Sequence, residues 1–437
     1  MNDNKIYADP TKDFFVKMIT RDIALEDCIF DLLDNSVDGA NRLSVSNSSA
    51  NKLAGYWAEI TFDQDHFCIK DNCGGISLND AINYAFHFGR RSSSPSDVKG
   101  GIGLYGIGMK RAIFKLGDRA EIISNSSESF KVPVDVAAWS LKKDWDFEYE
   151  IQGSSSEVKG TIIDVTKLHR GIGDEFSDPV FKNNLIKLIA RDYAFFIEKG
   201  FSIKVNDHLV PIFKFQMKIG TDISPAFEMY DDDGVNVRVV AGLVDELPND
   251  IPDELTPDKV DRFGWYVVCN DRVVLAADKS SKTVWGNDSF KVWHPQYNGF
   301  AGFVFFESKD QGKLPWTTTK REVDDSNPLY QRALAKMKAI TTDFSAYTNR
   351  RKSDLAAAKV AETSSTRIDV YHIKNPQSIK LPSLSKDADD NKFTNINYRR
   401  EKDEIAEIQD FLNRPAMTNR EIGNFTFEYF LKMELGK

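Results

Sequence analysis

The stretch DIALEDCIFDLLDNSVDGANRL, residues 22–43, decides how the rest of the chain is read. Leu25, Cys28, Ile29, Leu32 and Leu33 recur at helical spacing and predict a helix with one apolar face. Asp27, Asp31, Asp34 and Asp38 recur three or four residues apart on a second stripe, where like charges repel by roughly a few tenths of a kcal/mol each. The ordinary reading of that stripe is a solvated acidic face. The chemical reading is a metal-and-water site. Asn35 offers a neutral amide oxygen to a hard cation such as Mg²⁺, which keeps waters and phosphates as its other ligands. Asp31, four residues earlier, shares the helix face and is placed to orient a water.

Working outward, short strands are expected at 56–62 and 66–70, and the second runs into Lys70-Asp71-Asn72-Cys73-Gly74-Gly75-Ile76. Alone this is a turn, since Asp, Asn and Gly form turns. Its functional reading gives Asp71 a buried carboxylate that accepts an exocyclic amine, with glycines letting a base approach the backbone. A third segment, Lys99 to Lys110, carries Gly100, Gly101, Gly103, Gly106 and Gly108 ahead of an amphipathic helix. Backbone N–H groups there can wrap an anion, and a helix N-terminus favours phosphate.

Two string matches are discarded. Gly101-x-Gly103-x-x-Gly106 follows no strand closely and sits in no βαβ unit, so it is not a dinucleotide fingerprint. Gly103-x-x-x-x-Gly108 is followed by Met109-Lys110 rather than Lys-Ser/Thr, so it is not a P-loop.

Helices are expected at 78–87 and 105–116, and strands at 119–124, 145–151 and 160–166. This mixture predicts an α/β class, a two-layer α/β sandwich. A second block, 206–345, shows strands at Trp265–Cys269, Val273–Ala276 and Phe300–Phe306 and a helix from Pro328 to Ala346. Residues 374–397 read as a linker, with short helices expected at 401–413 and 418–434.

Each segment is weak alone, but their order is specific. Asp31-Leu-Leu-Asp-Asn35-Ser-Val-Asp38, then Asp71-x-x-Gly74-Gly75, then Gly103-Leu-Tyr-Gly106-Ile-Gly108-Met-Lys-Arg-Ala112, then Gly160-Thr161 together resemble the GHKL ATPases. That superfamily holds gyrase B, the 90-kDa heat-shock chaperone, histidine kinases, MutL and MORC proteins, and the closest look is to the MORC/MutL/chaperone side. The specific motifs cover about residues 15–170. The resemblance implies a Bergerat-type ATP-binding fold over 1–205, a transducer domain over 206–347, and a linker and C-terminal interaction tail over 348–437. It implies ATP and Mg²⁺ as ligands, with Asn35 on the metal, Asp31 as general base and Asp38 in support. Asp71, Gly75 and Ile76 would meet the adenine, with Thr161 reaching it through water. Gly100, Gly101, Ile102, Gly103, Leu104, Tyr105, Gly106, Ile107, Gly108, Met109 and Lys110 would form the lid and its helix junction. In these families a transducer loop delivers a lysine to the γ-phosphate; Lys320, in Leu314-Pro-Trp-Thr-Thr-Thr-Lys320-Arg-Glu-Val-Asp, is the candidate. Its ordinary reading is a surface lysine in a Thr-rich turn.

Two departures matter. Position 31 is Asp, where hydrolysing relatives mostly carry Glu, so slow hydrolysis is expected. Cys73 stands where glycine is usual and narrows the base pocket. The expected output is a conformational switch: ATP closes the lid and promotes a homodimer, with a DNA or protein partner at the C-terminal region in a DNA-transaction or genome-defence role. A non-hydrolysing ATP sensor or scaffold and a chaperone-like ATPase are the alternatives. A histidine kinase is disfavoured, because no His lies in the short segment before the acidic helix.

Composition agrees. The chain of 437 residues carries net charge -9, which disfavours non-specific DNA binding. The balance reverses from Tyr347 onward, with 16 Lys/Arg against 14 Asp/Glu, including Arg350-Arg351-Lys352 and Arg399-Arg400. Four cysteines make no disulfide scaffold, no zinc spacing appears, and neither a secretory leader nor a membrane span is expected, so a cytoplasmic setting is read.

Overall fold

The structure is a computed structural model and describes residues 10–89, 101–103, 106–153, 158–248, 262–287, 290–384, 396 and 399–436. Two compact units divide the chain, Met1–Leu384 and Ser385–Lys437.

The first unit opens with helices α1 (Lys12–Thr20) and α2 (Leu25–Leu43). Eight strands then build one sheet: β1 (Trp57–Phe62), β2 (His66–Asp71), β3 (Gly117–Asn125), β4 (Ser129–Asp135), β5 (Glu150–Ile151), β6 (Gly160–Leu168), β7 (Ser202–Val205) and β8 (His208–Leu209). Their order is β5-β4-β3-β6-β2-β1-β7-β8, antiparallel except for the β1–β7 pair. Period-two alternation gives this sheet one apolar face. Ala58, Ile60 and Phe62 on β1 stand opposite Asp71, Ile69 and Phe67 on β2, all buried, while His66, Cys68 and Lys70 point to the other side. Between β2 and β3 come α3 (Leu78–Asp80), a π-helical turn (Ala81–Ala85) and α4 (Gly108–Leu116). Helices α2 and α4 pack on each other and on the apolar face, completing the two-layer α/β sandwich. Burying each Leu, Ile or Phe of such a layer is worth about 1.5–3 kcal/mol. Beyond α5 (Val136–Leu141), α6 (Arg170–Phe176) and α7 (Pro179–Asp192) cover the end of the same face, with Phe176 stacked on Phe62 at 4.6 Å.

Local departures from the sequence reading have physical reasons. The helix expected over 78–87 keeps one α turn and widens into the π turn. The strand expected over 145–151 pairs only at Glu150–Ile151, because Trp145 and Phe147 turn into an aromatic cluster around Trp139. β4 escaped notice because it contains Pro133. Its short neighbour β5 pairs only with Phe130 and Lys131, so the missing N–H leaves no ladder bond broken on that side.

The second sheet follows α8 (Ala194–Glu198). It has the order β10-β11-β14-β12-β13: β10 (Ala226–Asp232), β11 (Val235–Leu243), β12 (Gly264–Cys269), β13 (Arg272–Asp278) and β14 (Phe300–Glu307), with β12 and β14 parallel. Both faces are buried, so these strands read as continuous apolar runs. Trp265, Val267, Phe300, Val304 and Phe306 face α9 (Pro328–Arg350); Tyr266, Val268, Phe303 and Phe305 face Phe195, Phe215 and Val370. The β12–β13 hairpin turns on Asn270 and Asp271, both left-handed (φ 46° and 67°), as a two-residue loop between Cys269 and Arg272 requires.

The expected tail boundary at 347/348 falls inside this body. Helix α10 (Leu355–Ser364) follows α9, and β15 (Thr366–Asp369) pairs with β9 (Gln216–Ile219). Arg351 and Glu362 form a buried ion pair. The first unit therefore runs on to Leu384. The second unit holds α11 (Lys402–Phe411) and α12 (Asn419–Glu434), the latter opened by a Thr418–Glu421 capping box. No helix among the described residues is long and apolar enough to cross a membrane.

Candidate functional site

A cavity of about 260 Å³ opens where α2, the turn after β2, the start of α4 and a loop of the second block meet. This lies near the lower end of the range for small-molecule sites, about 300–1,000 Å³. Asp31, Asn35, Asp38, Asp71, Gly75, Ile76, Gly103, Gly106, Ile107, Gly108, Met109, Lys110, Thr161 and Lys320 all line it. Gly101 and Ile102 do not; they are buried behind Asp38. Gly100, Leu104 and Tyr105 lie outside the described residues.

The acidic stripe is not a solvated face. Asp31 and Asp34 are 5% and 2% exposed. Asp31 accepts from Nε (3.0 Å) and Nη2 of Arg111 and lies 3.9 Å from Lys320 Nζ. Asp34 accepts from Lys320 Nζ (2.8 Å), Tyr193 Oη (2.7 Å) and Arg272 Nε (3.3 Å). Arg321 lies 3.4 Å from Asp27 and 3.9 Å from Asp192, and Arg272 also reaches Asp192 at 3.7 Å. Arg191 Nε also pairs with Asp192 at 2.7 Å. Four acids thus meet five cations, three of them from the second block. Burial raises the pKa of Asp31 despite Lys320 and Arg111. Burial also pushes Asp34 upward, but Lys320, Arg272 and the hydrogen bonds outweigh it and its pKa is lowered.

Asn35 is the one exposed residue between Asp31 and Ala40, and what it faces is this hollow. Its Oδ1 lies 3.8 Å from where a Cβ on Gly103 would stand, so the amide points at the glycine segment. One turn on, Asp38 accepts from the N–H groups of Ile102 and Gly103 (2.7 Å each) and fixes that segment over α2. Burial raises its pKa to about 6 against those two bonds.

At the other end, Asp71 accepts from Ser36 Oγ (2.9 Å), Cys73 N (2.9 Å) and Thr161 N (3.2 Å). A carboxylate has about four acceptor sites, which leaves it room for one more donor from the cavity. Burial raises its pKa too. The glycines here answer close backbone approach. A Cβ on Gly160 would stand 1.8 Å from the carbonyl oxygen of Asp71, and one on Gly75 (φ 68°) would stand 2.5 Å from that of Asn125. Cys73 also lines the cavity.

The anion-favouring end is built by α4. Its first turn has no side-chain cap, which leaves N–H groups open towards Gly106, Ile107 and Gly108. Lys110 is 3% exposed, and its Nζ donates to the carbonyls of Ala85 (2.8 Å) and Gly106. Among the described residues no carboxylate pairs with it, and burial pulls its pKa down to about 7. Opposite stands Lys320, 5% exposed, with its backbone in the left-handed region (φ 56°). The loop that carries it is pinned by a Trp316–Val323 bridge and by Lys320 N donating to Thr317 O (3.0 Å). Left-handed backbone at a non-glycine residue costs about 1–3 kcal/mol and clusters at functional sites. The second block also touches the glycine segment directly: Asn270 Nδ2 donates to Gly101 O at 3.2 Å.

Sequence reasoning missed Arg111, Tyr193, Arg272 and Asn270. Arg111 adjoins the quoted lid motif, and Arg272 and Asn270 sit in the hairpin turn. No local spacing marks Tyr193. No group of three His, Cys, Asp or Glu side chains among the described residues is placed to hold a metal.

No curated protein gives a significant match to this chain. A family model described as histidine kinase-, DNA gyrase B-, and HSP90-like ATPase matches residues 23–163, the span that holds α2, the Asp71 turn, the glycine segment and Gly160-Thr161. Over that span, about a third of its length, the chain is similar to the histidine kinase-, DNA gyrase B- and HSP90-like ATPases.

Proposed function

We propose that this protein binds ATP with Mg²⁺ in the α2–α4 cavity, hydrolyses it slowly, and uses the γ-phosphate to couple the glycine lid to the second block. The observation that carries this is the polarity of the cavity. One end offers a buried carboxylate with a spare acceptor site; the other offers an uncapped helix start, a buried Lys110 that meets no carboxylate among the described residues, and Lys320. Adenine fits the first end through its amino group on Asp71. Phosphates fit the second, and offer Lys110 a counter-charge that no described residue supplies. Asn35 would hold the Mg²⁺, which supplies charge neutralisation on the phosphates. Asp31 orients the attacking water and accepts its proton; the burial that raises its pKa makes it a better base than an exposed aspartate. Lys320 stabilises negative charge that develops on the transferred phosphoryl group. Nucleotide-dependent dimerisation, and a DNA or protein partner at the C-terminal region, extend the proposal by resemblance.

Phosphate release and nucleotide binding by wild type, Asp31→Ala and Asn35→Ala test it. Loss of turnover in both variants, with ADP still bound by Asp31→Ala, is expected; equal rates in all three remove the assigned roles. A second reading, ATP binding without turnover, is favoured by one observation: Arg111 already occupies Oδ2 of Asp31. A rate increase in Asp31→Glu would show that reach limits hydrolysis, and no turnover in either form would support the sensor.

A further inference from the structure

Asp34 stands behind the cavity wall rather than on it. Its carboxylate nevertheless gathers groups from three places: Tyr193 at the end of α7, Arg272 at the start of β13, and Lys320 in the second-block loop. Only Lys320 of these faces the cavity. We infer that Asp34 is the positioning residue for Lys320, holding its ammonium group at the wall where the third phosphate of a nucleoside triphosphate is recognised. The inference rests on the ATP reading above and deepens it.

Three observations support the assignment. Lys320 is buried and reaches Asp34 from a left-handed backbone that its own loop has to sustain, so its position is imposed. Its other carboxylate within 4 Å, among the described residues, is Asp31, at 3.9 Å against 2.8 Å to Asp34. Without Asp34 the ammonium group would settle on Asp31 and neutralise the carboxylate that orients water. Arg272 and Tyr193 occupy Oδ1 of Asp34, and among the described residues the lysine is the side chain on Oδ2. The carboxylate is therefore aimed. A diphosphate has no third phosphate to meet Lys320, so the role predicts discrimination between nucleotides rather than general affinity.

The test uses the full chain and equilibrium binding of ADP and of a non-hydrolysable ATP analogue, with Mg²⁺ present. Asp34→Asn and Lys320→Ala should each weaken triphosphate binding about tenfold or more and leave ADP within about twofold, since a buried charge pair acts chiefly on what it directly holds. The double variant should be no worse than Lys320→Ala, because both changes act through one ammonium group. Tyr193→Phe removes one neutral hydrogen bond from Asp34 and should cost the triphosphate about two- to fivefold; this variant keeps the test open if Asp34→Asn fails to fold. Equal losses for both nucleotides, additive losses in the double variant, or an unchanged triphosphate affinity in Tyr193→Phe would overturn the role and leave ATP binding standing. A wild-type chain that binds neither nucleotide would remove the ATP reading and this role with it.

Discussion

Two buried acid–base clusters in this protein use the same chemistry to different ends. In one, Arg351 donates through Nε and Nη2 to the two oxygens of Glu362 (2.8 Å each), through Nη1 to Pro248 O (3.0 Å), and again through Nη2 to Leu247 O (3.1 Å). Tyr347 adds a bond to Glu362 at 2.9 Å. The strong donors and acceptors are satisfied within the protein, so the cluster is a staple that fastens α10 to the second block. In the other, Asp31 and Asp34 hold Arg111, Arg272 and Lys320 at the edge of a hollow, with Lys110 nearby and facing no carboxylate among the described residues. A closed network serves stability; an open one keeps capacity in reserve for a ligand.

The contrast sets what mutation should do. The largest effect expected is on turnover: Lys320→Ala should lower phosphate release about a thousandfold, the scale of losing one transition-state cation, with a much smaller change in unfolding free energy. Phosphate-release assays beside urea melts check both halves. Next, Glu362→Ala should cost about 3–5 kcal/mol in urea unfolding, because it strands a buried guanidinium, and should leave the ATP-to-ADP affinity ratio unchanged. A shifted ratio would mean that the two clusters are not separate in function.

Third, Lys110→Met should stabilise the nucleotide-free protein by about 1–3 kcal/mol while it weakens triphosphate binding. The sign follows from burial, which pulls the folded pKa down to about 7 from 10.5. Between those values the unfolded chain holds more protons, so this lysine's contribution to stability improves as pH rises through that window and is worst below pH 7. The gain from Lys110→Met should therefore be largest near pH 6 and fade above about pH 10, readable in melts across pH. The smallest effect expected is at the lid: Asn270→Ala removes the bond to Gly101 and should cost about 1 kcal/mol of order there, seen as faster amide exchange at Ile102 and Gly103.

What the sequence revealed follows the same division. The helix at 22–43 was legible from local spacing and the Asp71 turn and glycine segment from their turn residues, whereas the Lys320 loop was singled out by the resemblance alone. Strand cores such as 57–62 and 160–166 were legible from alternation. The burial of Asp34 was not. A stripe of acids at helical spacing looks the same whether water or buried cations face it, and here the cations Arg272 and Lys320 lie 238 and 286 positions away. Arg111 was hidden for a related reason. It adjoins the lid motif, but only the packing of α4 on α2 turns it towards Asp31. The π turn at Ala81–Ala85 and the early stop of the 145–151 strand were set by tertiary contacts that no local pattern announces.

The long sequence separation around Asp34 also bears on how the protein is made. A ribosome delivers Asp27, Asp31, Asp34 and Asp192 well before Arg272, Lys320 and Arg321, and during that interval Arg111 answers Asp31 and Arg191 answers Asp192, while Asp27 and Asp34 wait for their cations. The nascent nucleotide-binding half must keep the remaining carboxylates wet, or protonated, until the second half emerges. Its final closure is therefore an event of late translation, and a chain interrupted near residue 205 would carry an only partly compensated acidic seam where its core should seal.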